Sequence, residues 1–372
     1  MKKCIALWLF VVFVVALIPA CSFGADLPKV RIGWAPPNIT GVFKTATDFM
    51  EKAALDAKSA GIDVEIITRA EPDETQVQNQ VNALENLVQL QVDCIICSPG
   101  DAEAIKPALQ TATDAGIPII LVNMLEPQEG ITAASYIGFD NQMAGTVSGY
   151  ALLDALGGPG VLGEGEKADV SRDDYLDLAK WSEIYANFDY SSIKDKKVAV
   201  IEGIAGNFYS NARLKGFHEV VDKAAGIKIV ATLPADWDRQ KGIAATENIL
   251  QSNAELDAIW SASNEMGIGS SIACENLGRS GIILTTNDGT PESIDMIREG
   301  KLMAETWHGF PEWGWYGTYF AVQLAYGQGA DVPPTFDVRP RIAYRDNVDN
   351  FYPNTKLENL DWASVIAKYG QK

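Results

Sequence analysis

Short aliphatic runs alternate with amphipathic stretches from residue 29 onward, and this alternation restricts the fold more than any other feature. The runs at 30–36, 64–70, 93–99, 118–124 and 134–140 are mostly apolar, with little polar alternation. Such runs read as strands buried on both faces, as parallel sheets require. Between them, 43–61, 74–90 and 102–116 space apolar residues at helical intervals, and Gly61 closes the first of these helices. A second series follows, with a helix at 141–158 and strands at 197–203, 227–234, 256–262 and 281–288.

Two βαβ series of similar length predict an α/β fold of two Rossmann-like doubly wound lobes, which 372 residues can supply. Ligands in such sheets lie at the C-terminal ends of the strands. Residues 157–196 break the rhythm, with a glycine-rich start and an acidic, aromatic middle. They read as a surface addition carrying one short helix, or as a flap beside the cleft.

The N-terminus carries Lys2 and Lys3, an apolar run at 5–20 and then "CSFGAD". This is the pattern of a signal peptide over 1–24, and it predicts an exported, periplasmic or extracytoplasmic protein. Two processing routes stay open: cleavage after Gly24 or Ala25, or lipidation of Cys21 in "IPAC". A net charge of −19 argues against nucleic acid and anionic membrane as partners. "DCIICSPG" contains a C-x-x-C, but Cys94 and Cys97 fall within a strand. Their side chains then point to opposite faces, and no helix start lowers a thiol pKa. With only His218 and His308 present, no metal site is expected, and no cofactor.

Catalytic templates are equally scarce. The strand–glycine loop–helix stretch "VAVIEGIAGNFYSNARLKGF" at 198–217 has the outline of a phosphate cradle. It lacks both the three-glycine fingerprint and the Walker lysine. Its glycines read instead as a tight turn into a helix that carries Arg213. No G-x-S-x-G elbow is present, so the chain is not expected to be an enzyme. What the strand ends do hold is Phe43, Asn123, Arg213, Trp237, Ser263, Asn264, Asp288 and His308. Aromatic rings stack on the C–H face of a sugar, and Asp, Asn and Arg bond to neighbouring hydroxyls.

The ordered motifs "GFDNQMAGTVSGY", "GIAGNFYSNARLKGF", "PADWDRQKG", "SNEMGIGS" and "NDGTPES" resemble those of the type I periplasmic sugar-binding proteins, the ribose-binding-protein group. The resemblance spans roughly 30–350 apart from 157–196. It implies a monomeric solute-binding protein that captures a sugar or polyol and delivers it to the permease of an ABC importer. A sensor serving a chemoreceptor or histidine kinase would share the fold. It further implies a three-segment hinge near Asp140, His308 and Arg339. The lobes would then be 29–139 plus 309–338 and 140–308 plus 339–350, with 351–372 as a C-terminal tail.

Within that resemblance, Phe43 and Trp237 sandwich the sugar, while Arg213 and Asp288 meet its hydroxyls. The binding amide falls on Ser263 with Asn264 beside it, and His308 stands where a Gln is usual. The family's Asp-Arg pair at the fourth strand is here Asn123-Met124, which argues against ribose itself. Trp34, Phe208, Tyr209 and Trp307 are further candidates for shaping the pocket. Six of these residues also have a plain structural reading: Phe43 and Trp237 as core, Arg213 as a surface ion pair, Asp288 as a helix cap, Asn123 as a turn residue, His308 as a hinge residue.

Overall fold

The computed structural model describes residues 27–70, 77–125, 127–172, 174–353 and 355–369. The expected signal peptide, with Cys21, lies outside the described residues. In chain order the first lobe opens with β1 (Val30–Ala35), α1 (Gly41–Ser59), β2 (Val64–Thr68), α2 (Val77–Gln89), β3 (Cys94–Cys97), α3 (Lys106–Asp114), β4 (Ile119–Val122) and β5 (Ser135–Gly138). The chain then enters the second lobe with α4 (Asn141–Ala155), α5 (Leu178–Ile184), β6 (Lys196–Glu202), α6 (Phe208–Val221), β7 (Ile227–Pro234) and α7 (Arg239–Ser252). That lobe continues through β8 (Ala258–Ser261), α8 (Asn264–Asn276), β9 (Ile283–Asp288), α9 (Pro291–Arg298) and β10 (Ala304–Trp307). It returns to the first lobe for α10 (Phe310–Ala325) and β11 (Thr335–Asp337), crosses again for β12 (Arg341–Tyr344), and ends in α11 (Trp362–Tyr369).

Each lobe is built on a six-stranded sheet. The orders are β11-β5-β4-β3-β1-β2 and β12-β10-β9-β8-β6-β7. Pairing is parallel throughout except for β12, which runs antiparallel to β10. Every residue of "CIIC" and "IILV" in β3 and β4 is buried, as aliphatic runs covered by helices on both faces should be. Cys94 and Cys97 are free and fall in different apolar clusters on the two sides of the first sheet. Burial pushes both thiols well above their ordinary pKa, which leaves them inert.

The tail adds a fourth passage between the lobes. Val348, Phe351 and Tyr352 pack in the second lobe's apolar cluster, whereas Trp362 and Val365 pack in the first's. Trp362 Nε1 donates to Asp56 Oδ2 at 2.8 Å, and Gln328 Nε2 donates to the Val365 carbonyl at 2.8 Å. The 157–196 segment is also more than a surface layer. Trp181 and Leu176 are fully buried, and Tyr185 lies 4.8 Å, ring to ring, from Tyr150 of α4. The segment reaches the last hinge passage, where Ile342 N donates to the Leu176 carbonyl and Arg341 sits over the Tyr175 ring. None of its described residues lines the interlobe cavity.

The contact that positions the functional helix is the crossing of α4 and α6. It depends on glycines. A Cβ on Gly145 would stand 1.9 Å from the Arg213 carbonyl oxygen, and one on Gly216 would stand 1.8 Å from that of Gln142. Backbone on backbone cannot yield as a flexible side chain can, so a methyl group here must push the helices apart. Gly145→Ala is expected to cost about 1–3 kcal/mol. Thermal unfolding followed by circular dichroism checks this; an unchanged Tm would mean that the crossing is slack.

Candidate functional site

The C-terminal ends of both sheets face one another across a cavity of about 390 Å³. From the first lobe, Phe43 reaches it from the start of α1 and Asn123 from the end of β4. From the second lobe come Arg213 on α6, Trp237 before α7, Ser263 and Asn264 at the start of α8, and Asp288 at the end of β9. Seven of the eight residues singled out from the sequence therefore line one cavity, five of them on its second-lobe wall.

Arg213 is the centre of this wall and is almost completely buried. Its Nη1 donates to Asp288 Oδ1 at 3.1 Å and to the Ala262 carbonyl at 2.7 Å, and its Nε donates to Asn141 Oδ1 at 3.1 Å. Among the described residues, no hydrogen bond uses Nη2. Burial pulls the guanidinium pKa down and Asp288 opposes the shift. A guanidinium stays protonated in any case. Asn141 relays the contact to the other lobe, since its Nδ2 donates to the Asn123 carbonyl at 3.1 Å. Asp288 Oδ2 accepts from the Asn264 backbone N–H at 3.0 Å, and Asn264 Nδ2 donates to Thr290 Oγ1 at 2.9 Å.

These bonds leave three buried oxygens without a protein partner: Asn123 Oδ1, Ser263 Oγ and Asn264 Oδ1. An orphaned buried acceptor is costly unless something else donates to it. A ligand bearing several hydroxyls would supply those donors.

The backbone at this wall is strained. Seven non-glycine residues among those described have positive φ, and four of them line the cavity: Asn123 (73°), Asp236 (49°), Trp237 (62°) and Asp288 (108°). Such clustering is characteristic of ligand clamps, where surrounding contacts hold residues that would otherwise relax. Trp237 shows how. Its indole lies so close over Gly203 that a Cβ there would be 2.1 Å from the ring, and its own ring carries Arg213 at 5.4 Å. Around it Lys241 pairs with Asp236 at 2.8 Å, Asp238 caps α7, and Arg239 bridges Glu265 and Glu292 at 2.8 and 2.7 Å.

His308 lies behind this wall rather than in it. Fully buried, it stacks on Phe139 with ring centroids 4.1 Å apart, and its Nδ1 comes within 3.1 Å of Asp288 Oδ1, though not aligned as a hydrogen bond. Burial and the charge of Arg213 lower its pKa to about 4 against the pull of Asp288, so the ring is neutral at pH 7. Met124, which follows Asn123, is buried beneath the wall as core. Of the four further aromatics, Tyr209 alone lines the cavity. Trp34 and Trp307 are core, and Phe208 is exposed on the rim. The place of Tyr209 in the first turn after the glycine loop was a usable signal. Glu265 and Arg239, which also line the cavity, carried none, because acidic and basic residues abound in the chain.

Since the folded state binds the His308 proton less readily than the unfolded chain, stability from this site is present above about pH 6.5. It falls as the pH drops towards about 4. His308→Gln should remove that component, so the Tm difference between variant and wild type should shift steadily in the variant's favour over this window. Calorimetric scans across pH check it.

A family model for the periplasmic binding protein domain matches residues 32–329. The ribose import binding protein RbsB of Bacillus subtilis (strain 168) is 26% identical over 302 residues, covering 77% of this chain and 82% of that protein. The D-allose-binding periplasmic protein of Escherichia coli (strain K12) is 30% identical over 257 residues, covering 67% and 70%. Among solved structures, an ABC transporter periplasmic solute binding protein from Actinobacillus succinogenes 130z with bound D-allose superposes with a TM-score of 0.70 at 24% identity, covering 87% of this chain and all of that one. The chain belongs to the periplasmic binding protein domain family, and its paired α/β lobes are the type I form of that fold.

Proposed function

We propose that this protein is an exported binding protein that captures a neutral sugar or polyol between its lobes and delivers it to the permease of an ABC importer. The observation that carries the reading is the convergence of both lobes on one cavity whose buried acceptors Asn123 Oδ1, Ser263 Oγ and Asn264 Oδ1 lack partners. Names of the relatives point the same way, since they bind ribose and allose.

Neutrality follows from charge matching. Every cation lining the cavity already has a carboxylate: Arg213 has Asp288, Lys241 has Asp236, and Arg239 has Glu265. A uronate or sugar phosphate would need a further cation, and the fourth lining carboxylate, Asp238, is taken up in capping α7. The indole of Trp237 and the ring of Phe43 supply apolar faces for the C–H side of a pyranose or a folded polyol. Binding works by population shift. A ligand that touches both lobes favours the closed arrangement by as much as it binds that arrangement better. The ligand is released unaltered, without turnover.

A thermal-shift screen over pentoses, hexoses and polyols is expected to raise Tm by several degrees at about 100 times Kd for at least one neutral compound. The matching uronates, phosphates and amino sugars should give no shift; a charged compound binding best would sink the neutral reading. Calorimetric titration should then show Arg213→Ala weakening binding about 100-fold or more, because it strands Asp288 unpaired. Trp237→Ala should weaken it roughly tenfold. Wild-type affinity in both variants would move the site elsewhere.

A further inference from the structure

The glycine loop and the helix it opens do something besides presenting Arg213. Two side chains from this element reach across to the first lobe. Tyr209 Oη donates to the Pro99 carbonyl at 2.9 Å, and Asn207 Nδ2 donates to the Gly100 carbonyl at 3.3 Å. The Tyr209 ring is buried within an apolar cluster otherwise made of first-lobe residues, among them Ala35, Ile105 and Tyr136. A second-lobe side chain is thus seated in the first lobe.

The receiving surface is built to stay in place. Gln80, buried on α2, donates to the Ala35 carbonyl at 2.9 Å and to the Ser98 carbonyl at 2.7 Å, and its Oε1 accepts from Gly100 N at 2.9 Å. The 98–100 turn that offers both acceptors is therefore pinned on either side. On the donor side, Asn207 also caps α6 by accepting from Tyr209 N at 2.9 Å, so one amide orders the helix start and reaches the other lobe. Elsewhere along the cleft, Glu265 of α8 lies against Gly41 of α1, where a Cβ would stand 3.2 Å from its Oε1.

These contacts involve protein atoms alone, so they hold the closed arrangement whatever lies in the cavity. We propose that Asn207 and Tyr209 are positioning residues: they form a latch that lets the lobes close without ligand, and they set affinity through that closed population. This rests on the cavity being the ligand site. An affinity measured on a protein whose competent state is partly populated scales with that fraction, so a stronger latch tightens every ligand alike.

The test places spectroscopic labels at Leu55→Cys on α1 and Leu277→Cys at the end of α8, both exposed and one on each lobe. Interlobe distances are then measured without ligand in otherwise wild-type protein, in Tyr209→Phe and in Asn207→Asp. The first variant removes only the hydroxyl. The second keeps the helix-capping acceptor but turns the amide donor into a carboxylate facing the Gly100 carbonyl. Unliganded wild type should show a closed population beside the open one, and each variant should lower the closed-to-open ratio about three- to tenfold. A wild type found only open, or ratios unchanged in both variants, overturns the latch. With neutral sugars that bind, Tyr209→Phe should weaken all by the same factor; a loss confined to one sugar would make Tyr209 a ligand contact instead. If no sugar binds even wild type, the cavity reading fails while the distance measurement still decides the latch.

Discussion

A guanidinium taken out of water costs several kcal/mol unless its charge is paired and hydrogen-bonded, and the arrangement around Arg213 follows from that requirement. Asp288 answers its charge, the Ala262 carbonyl and Asn141 take two more of its N–H groups, and Asn141 in turn holds the Asn123 carbonyl in the opposite lobe. Four separate strand ends and helix starts are thereby fixed relative to one another before any ligand arrives. Preorganisation of this kind spares the ligand the cost of ordering the site. The same requirement explains the glycines beneath it, since α6 can bring Arg213 to this depth only where its backbone touches α4 directly.

The strain at Asn123, Trp237 and Asp288 belongs to the same economy of position. Each sits at a strand end where extended backbone must turn sharply to aim a side chain along the cleft. None could hold a positive φ alone. Asp288 is held by Arg213 and Asn264, with the His308 backbone bonded to its carbonyl, and Trp237 by the flat seat over Gly203.

Much of this was legible in the chain. Strands such as β3 and β4 announce themselves by unbroken apolar runs, and Asn123, the polar residue that ends β4, lines the cavity. The reading failed where a residue's meaning depends on a partner far along the chain. Tyr209 was visible as an aromatic beside the pocket, but its bond to a carbonyl 110 positions away was not, nor was that of Trp362 to a carboxylate 306 positions away. No local period or motif encodes either. Burial of the 157–196 segment was hidden for a related reason. Trp181 and Tyr185 carry no periodic signature, and only their packing on Tyr150 reveals that they are core. Similarly, His308 was visible as a polar residue near a crossing, but whether it faces the cavity or the Phe139 ring is settled by a rotation that sequence does not express.

The tail's return to the first lobe bears on how this molecule can be made. Phe310, Trp313, Trp362 and Val365 all belong to the apolar cluster that begins with Val30, and β11 forms an edge of the same sheet. The first lobe therefore cannot complete its core until Val365 has emerged, although its earliest strands are synthesised first. Contacts of such long sequence separation form slowly. The first lobe of a chain arranged this way stays incompletely folded during most of its synthesis, which suits the export proposed above.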